Sequence, residues 1–158
     1  FLLVGEGAQF ESTRRAIFRE DLTNVHLLPS CSNEDLPAYL QASDVALISY
    51  PPGMRGVSVP SRLYNHFLAA RPVIGVCEKG SELARLLEEN GAGWVVSPKD
   101  TASLVDRILE LAVHRELVAV AGKRAHALAS TSYTRPAVDA AYQHLAESVI
   151  RNLSAAAR

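Results

Sequence analysis

The chain has 158 residues, of which 48% are hydrophobic and 21% charged, and this is the composition of one folded domain with a sizeable core. Sixteen Lys and Arg against seventeen Asp and Glu leave a formal charge of -1, so no nucleic-acid partner is expected. Cys31 and Cys77 are far apart and no Cys-x-x-Cys motif occurs, which excludes a zinc-binding motif and favours the cytoplasm. No apolar run approaches the roughly 18 residues of a membrane span.

Short apolar runs alternate along the chain with segments of helical period, a pattern that predicts βαβ units and a parallel sheet flanked by helices. The predicted strands are residues 1–4, 24–28, 44–49, 72–76 and 94–96. Helices are predicted at residues 8–20, from the Ser-x-x-Asp capping pattern at 32–35, and at 61–70, 81–90 (with a stop at Gly91), 101–113, 115–130 and 134–153.

The chain opens without Met and directly inside an apolar strand, so we expect it to be a piece of a longer protein. Residues 1–158 are expected to form a single domain. Residues 154–158 are expected to be a frayed tail.

In an open parallel sheet, ligands bind outside the carboxyl ends of the strands, and this limits the candidate site to four loops. The loops are residues 5–7, 28–32, 50–61 and 76–81. The third loop is the richest, because its three prolines and two glycines exclude regular structure and it runs directly into a predicted helix.

The junction between that loop and its helix combines features of an anion site. A helix start presents free backbone N–H groups, Ser58 and Ser61 add hydroxyls, and Arg55 and Arg62 add charge. These features favour an anion such as a diphosphate. The alternative is that Ser61 is only an N-cap and that both arginines are solvated.

Other chemistry finds little support in the sequence. Gly5-Glu6-Gly7 lacks the third glycine of a dinucleotide fingerprint, so a tight strand-to-helix turn is the better interpretation. No G-x-S-x-G motif is present to support a hydrolase triad. A lone His66 is more often structural than a ligand contact, and Cys77 is expected to act as a small buried hydrophobe.

Several stretches, taken in order, resemble the C-terminal, donor-nucleotide-binding domain of a GT-B glycosyltransferase of the retaining family 4, or group 1, type. They are residues 3–7 (LVGEG), 24–29 (NVHLLP), 36–40 (LPAYL), 42–45 (ASDV), 60–65 (PSRLYN) and 69–74 (AARPVI). Residues 80–84, 93–96 and 100–111 are similar too, so the resemblance covers most of the chain. It implies a Rossmann-like α/β fold, and the PSRLY variant is most similar to bacterial enzymes that build surface polysaccharides.

The resemblance also implies roles by position in binding a nucleoside-diphosphate sugar. Leu28, Pro29 and Ser30 would lie against the nucleobase, and Asn65 would meet the ribose. The diphosphate would be bound by backbone and side-chain groups of Val57, Ser58, Val59, Ser61 and Arg62. No catalytic residue is assigned, and neither a metal nor a cofactor besides the sugar donor is expected.

Two positions depart from the family's pattern. The family often has two glutamates with seven residues between them, and here those positions hold Val57 and Asn65. Asn65 can still hydrogen-bond a hydroxyl group, but Val57 cannot replace a carboxylate.

The implied function is transfer of a sugar to a glycan or lipid-linked acceptor in surface polysaccharide synthesis. An N-terminal domain of the same protein would bind the acceptor, so the isolated piece is expected to be inactive. It is also expected to self-associate through an exposed strand edge or apolar face. The alternatives are a UDP-sugar epimerase of GT-B-like fold and a non-catalytic nucleotide-binding or scaffold domain. The expected location is cytoplasmic, or peripheral at the inner face of the membrane for the whole protein.

Overall fold

A computed structural model describes residues 1–57 and 60–156, which divide into two compact units. The first unit, Phe1–Ser43, contains β1 (Leu2–Val4), α1 (Phe10–Arg19), β2 (His26–Leu28) and α2 (Leu36–Ala42). The second unit begins at Asp44 and contains β3 (Ala46–Ser49), α3 (Arg62–Leu68), β4 (Val73–Val76), α4 (Glu82–Glu89), β5 (Gly93–Val96), α5 (Thr101–Val113), α6 (Arg115–Ser132) and α7 (Arg135–Ala156).

The five predicted strands are present and all of them pair in parallel, which confirms the α/β fold class. β1 pairs with β2, and the second unit has a three-stranded sheet in the order β3-β4-β5. One continuous sheet was expected, whereas the described strands pair in two groups, one in each unit. A single domain spanning residues 1–158 stays a prediction.

The central strand of the second unit's sheet, β4, is covered on both faces. Side chains of successive β4 residues point to opposite sides, and each side has its own core cluster. Val73 belongs to the larger core cluster, together with Ile48, Leu63, Phe67, Leu83 and Leu87. Ile74, the next residue, belongs to a second cluster with Val96, Leu111 and Val118. The run of apolar residues at 72–76 predicts a buried strand, and the structure confirms it.

The small residues of α6 explain how that helix packs. Ala121, Ala125 and Ala129 are buried on one face of α6, and α3 is the helix it contacts most. The sequence suggests that this Ala-rich face lies across the sheet or against a partner domain, and the structure shows it packed within the unit. α7 differs, because Tyr142, Leu145 and Ile150 are all more than half exposed.

Helix ends differ in places from the predicted ones. Ser32 accepts a hydrogen bond from the Asp35 amide at 3.1 Å and donates one to Asp35 Oδ2 at 2.8 Å, so the capping pattern forms, but α2 itself begins at Leu36. The pattern closes a turn at residues 33–35 that leads directly into the helix, and the Leu36 amide donates to the Ser32 carbonyl at 3.1 Å.

The C-terminal ends of two helices also bear on the predictions. Gly91 follows α4 with a φ of 56°, which confirms the predicted stop. α7 continues through Ala156 and residues 157 and 158 lie outside the described residues, so the frayed tail stays a prediction. Across the described residues, no helix is both long and apolar enough to span a membrane.

Candidate functional site

The loop predicted as the richest candidate begins at the carboxyl edge of the second unit's sheet. Ser49, the last residue of β3, pairs with Val76, the last residue of β4, so both strands end together. The amide of Tyr50 donates to the Val76 carbonyl at 2.9 Å and continues the ladder by one bond. The loop therefore lies on the side of a parallel sheet where ligands bind.

Two glycines with positive φ angles determine the backbone path of this loop. Gly53 has a φ of 88° and Gly56 a φ of 75°, values in the left-handed region that favours glycine. The Val57 amide donates to the Met54 carbonyl at 3.2 Å and closes a turn. Val57 is 64% exposed, so an apolar side chain faces solvent where the family pattern has a glutamate.

The carboxylate of Glu78, in the loop that follows β4, is hydrogen-bonded to residues 53–55. Glu78 Oε2 accepts hydrogen bonds from the amides of Gly53 at 3.1 Å and Arg55 at 3.3 Å. The Arg55 guanidinium lies against the next turn, since a β-carbon placed at Gly80 would be 3.5 Å from its Nη2 atom. Sequence reasoning did not single out Glu78, and its place after β4, in one of the four candidate loops, was the available signal.

The start of α3 presents the predicted Ser61 and Arg62 to solvent. Ser61 occupies the N-cap position, but its side chain makes no capping hydrogen bond. The amides of Leu63 and Tyr64 donate to the carbonyls of Pro60 and Ser61 at 3.0 and 3.2 Å, so they are already satisfied by the turn. A pure N-cap role for the Ser61 hydroxyl is thus not what the structure shows. Ser58 and Val59 lie outside the described residues.

One side of α3 packs into the core, and the residues on its opposite side are exposed. Leu63 and Phe67 are fully buried, whereas Arg62 and Asn65, three positions apart, are both exposed. The arginine and the asparagine that replaces the second family glutamate are therefore neighbours on the solvent side of one helix.

His66 is partly buried one turn after Arg62. Its Nδ1 atom is buried and, among the described residues, has no hydrogen-bond partner. Burial lowers the pKa of His66, and the charge of Arg62 lowers that pKa further. These observations fit the structural role predicted for this histidine, in the neutral form.

The predicted nucleobase residues belong to the first unit. Leu28 ends β2 and is partly buried, and Pro29 and Ser30 follow it and are exposed. The Gly5 amide donates to the Leu28 carbonyl at 3.1 Å, and the Phe10 amide donates to the Gly7 carbonyl at 2.9 Å. Gly5 and Gly7 thus form the tight strand-to-helix turn that the sequence predicted.

Cys77 was expected to be a small buried hydrophobe, and this is confirmed. Its side chain belongs to the larger core cluster and is 1% exposed. Burial raises the pKa of the thiol, and the carboxylates of Glu88 and Glu78 raise it as well, although a hydrogen bond from Ser81 acts in the opposite direction.

Comparison with known families decides where the chain belongs. The family of group 1 glycosyl transferases matches residues 1–114, which is more than half of the chain. The chain belongs to the group 1 glycosyltransferases. The probable glycosyltransferase WbjE of Pseudomonas aeruginosa is 33% identical to this group 1 domain over 114 residues. That match covers 70% of the chain and 28% of WbjE, so the chain spans well under half of its relative's length.

Solved structures show that this group 1 glycosyltransferase chain has the fold of GT-B enzymes, as predicted. HepE of Anabaena, in complex with UDP, superposes with a TM-score of 0.71 at 21% identity, over 95% of this chain and 40% of that one. WaaG, a glycosyltransferase involved in lipopolysaccharide biosynthesis, has a TM-score of 0.63 at 17% identity, over 82% of this chain and 33% of its own.

Proposed function

We propose that this chain binds a nucleoside-diphosphate sugar, as part of a glycosyltransferase that moves the sugar to a glycan or lipid-linked acceptor. The observation that supports this best is the pair of exposed residues at the start of α3, Ser61 and Arg62, after a loop at the carboxyl edge of a parallel sheet. Charge-assisted hydrogen bonds from Arg62 suit phosphate oxygens, in a chain whose net charge is only -1.

Each residue predicted from the resemblance keeps its role within this proposal. Leu28, Pro29 and Ser30 contact the nucleobase, and Asn65 hydrogen-bonds a ribose hydroxyl. The diphosphate is bound by Ser61 and Arg62 together with Val57, Ser58 and Val59. Val57 contributes its backbone only, because its side chain has no polar group.

The proposed chemistry is electrostatic. Breaking the bond between sugar and diphosphate leaves negative charge on the departing diphosphate, and a nearby cation stabilises that charge. Arg62 is the group proposed to do this. We propose that the donor is the only small molecule needed, with no metal ion and no further cofactor.

Relatives guide the choice of donor and pathway. HepE has been solved in complex with UDP-glucose, so a uridine donor is the first to test. WaaG is involved in lipopolysaccharide biosynthesis, and a role in surface polysaccharide synthesis is proposed here in line with it. The acceptor is proposed to be bound by an N-terminal domain of the same protein, in the cytoplasm or at the inner face of the membrane.

The family match favours transfer over the two alternatives, a UDP-sugar epimerase and a scaffold domain. Product analysis with the full-length protein separates the three. Release of UDP together with a glycosylated acceptor supports transfer, an epimerised nucleotide sugar supports the epimerase, and neither product supports the scaffold.

The direct test for this chain is thermal denaturation with UDP, UDP-glucose, GDP and ADP, each with and without EDTA. A ligand at 100 times its Kd stabilises a protein by roughly 2.7 kcal/mol, and we expect this for a uridine nucleotide. The stabilisation should be the same in EDTA. If none of the nucleotides shifts the Tm at millimolar concentration, the proposed function is wrong for this chain.

A further inference from the structure

The loop after β3 is held by one side chain from a different loop. Glu78 follows β4, and its Oε2 atom accepts both the Gly53 and the Arg55 amide, at 3.1 and 3.3 Å. The other backbone bonds that the structure describes for residues 50–57 are the last ladder bond, from Tyr50, and a local turn from Val57 to Met54. Glu78 thus accepts the described hydrogen bonds that join the middle of the loop to the loop after β4.

We propose that Glu78 is a positioning residue, which holds residues 50–57 in the conformation that binds the diphosphate of the donor. This inference rests on the proposed function. Glu78 acts through the loop and does not itself touch the ligand, since a carboxylate repels a phosphate.

The geometry explains why a carboxylate is suited to this task. Gly53 and Arg55 are two residues apart, and the left-handed φ of 88° at Gly53 belongs to a bend in which both amides converge on one oxygen. Bonds of this kind to a charged acceptor are stronger than neutral ones. We call the two hydrogen bonds from the Gly53 and Arg55 amides to Glu78 the clamp. Cys77, the neighbour of Glu78, is buried in the core, so the backbone next to Glu78 is anchored there.

The clamp also determines where the Arg55 side chain starts. Its backbone amide is held by Glu78, and its guanidinium lies against Gly80. The Arg55 cation therefore lies beside the loop that follows β4, at the carboxyl edge of the sheet. A loop that is ordered before binding loses less conformational entropy when the ligand arrives, and this strengthens binding.

Three variants of the present chain test the proposal. Glu78→Ala removes the acceptor, Glu78→Gln keeps an acceptor oxygen without the charge, and Glu89→Ala removes an exposed carboxylate of α4 as a control. Hydrogen exchange of the Gly53 and Arg55 amides, measured without nucleotide, reports the clamp. Calorimetry with UDP reports its effect on binding, and exchange of the β4 amides confirms that each variant is folded.

We expect Glu78→Ala to speed exchange at Gly53 and Arg55 and to weaken UDP binding about tenfold. Glu78→Gln should restore affinity to within about twofold of the wild-type, because its amide oxygen still accepts both bonds. Glu89→Ala should match the wild-type in both measurements.

Other results would overturn the proposal in distinguishable ways. Unchanged exchange in Glu78→Ala shows that no clamp exists. Faster exchange with equal or tighter UDP binding shows that these two hydrogen bonds have no positioning role. A Gln variant that keeps slow exchange at Gly53 and Arg55 but binds UDP as weakly as the Ala variant shows that Glu78 does not act by holding the loop. If the wild-type chain binds no UDP, the proposed function fails and the nucleotide role of Glu78 fails with it, whereas the exchange data still report the clamp.

Discussion

The backbone of Gly122 passes so close to Ala70 that a β-carbon at Gly122 would lie 2.3 Å from the Ala70 carbonyl oxygen. No real β-carbon lies this near an oxygen, so the packing of α6 against the turn that follows α3 depends on glycine at this position.

Gly122→Ala should therefore destabilise the fold, by about 1–3 kcal/mol. The direction of this change in stability is informative, because replacing glycine by alanine inside a helix ordinarily stabilises the helix by about 1 kcal/mol. The measurement is urea denaturation followed by circular dichroism. Gly7→Ala is the control, since a β-carbon there meets no atom within 4 Å, and we expect a near-neutral effect. Stabilisation by Gly122→Ala would show that the two helices are less tightly packed than described.

Ala70→Gly should stabilise the protein by about 0.5–1 kcal/mol. Ala70 has a φ of 56°, and the amides of Ala70 and Arg71 donate to the carbonyls of Phe67 and His66 in the manner of a Schellman cap. Glycine takes this conformation without steric cost. Ala69→Gly, at an ordinary φ of -78°, is the matched control and should not stabilise. The same denaturation experiment would refute the prediction if both changes had the same sign.

Arg62→Ala should weaken UDP binding more than Ser61→Ala does, and neither change should greatly affect binding of uridine. A hydrogen bond to a charged group contributes about 1.5–3 kcal/mol and a neutral one about 0.5–1.5 kcal/mol. Calorimetry with both ligands makes the comparison. Arg135→Ala, which removes an exposed arginine of α7, should leave both affinities unchanged. Equal losses for UDP and uridine would exclude a phosphate role for Arg62.

The stability of the protein should fall as the pH is lowered through 6.5. Because the pKa of His66 is lowered in the folded state, the unfolded chain takes up a proton first, and this favours unfolding. The full stability is present above pH 6.5 and is lost towards the lower pKa of the folded form. His66→Gln should reduce this slope of unfolding free energy against pH, whereas His144→Gln, on the exposed part of α7, should keep it. An unchanged slope in His66→Gln would contradict the buried, neutral state.

The isolated chain should self-associate, as the sequence predicted. β3 pairs with β4, and its outward residue Leu47 is 51% exposed, which leaves apolar surface on a strand at the edge of the described sheet. Light scattering should give a mass that rises with concentration, and Leu47→Lys should lower it. Leu68→Lys on α3, where the leucine is also 51% exposed, is the matched control. A monomer at every concentration would show this prediction to be wrong.

Much of the local structure followed from the sequence by itself. The alternation of short apolar runs with helical periods predicted five strands in parallel, and the turn at Gly5 and Gly7, the stop at Gly91 and the burial of Cys77 are confirmed. These features depend on residues near in sequence, whose preferences for backbone conformation and burial are expressed locally.

Only the tertiary structure decided the contacts that hold the candidate site. Glu78 is 25 residues from Gly53 and 23 from Arg55, and nothing in its sequence neighbourhood marks it as their partner. The left-handed Ala70 and its close approach to Gly122 were equally unforeseen. Such contacts depend on how strands and helices pack. Packing brings together residues that are distant in sequence, and the local conformational preferences of one residue do not indicate which distant residue it will contact.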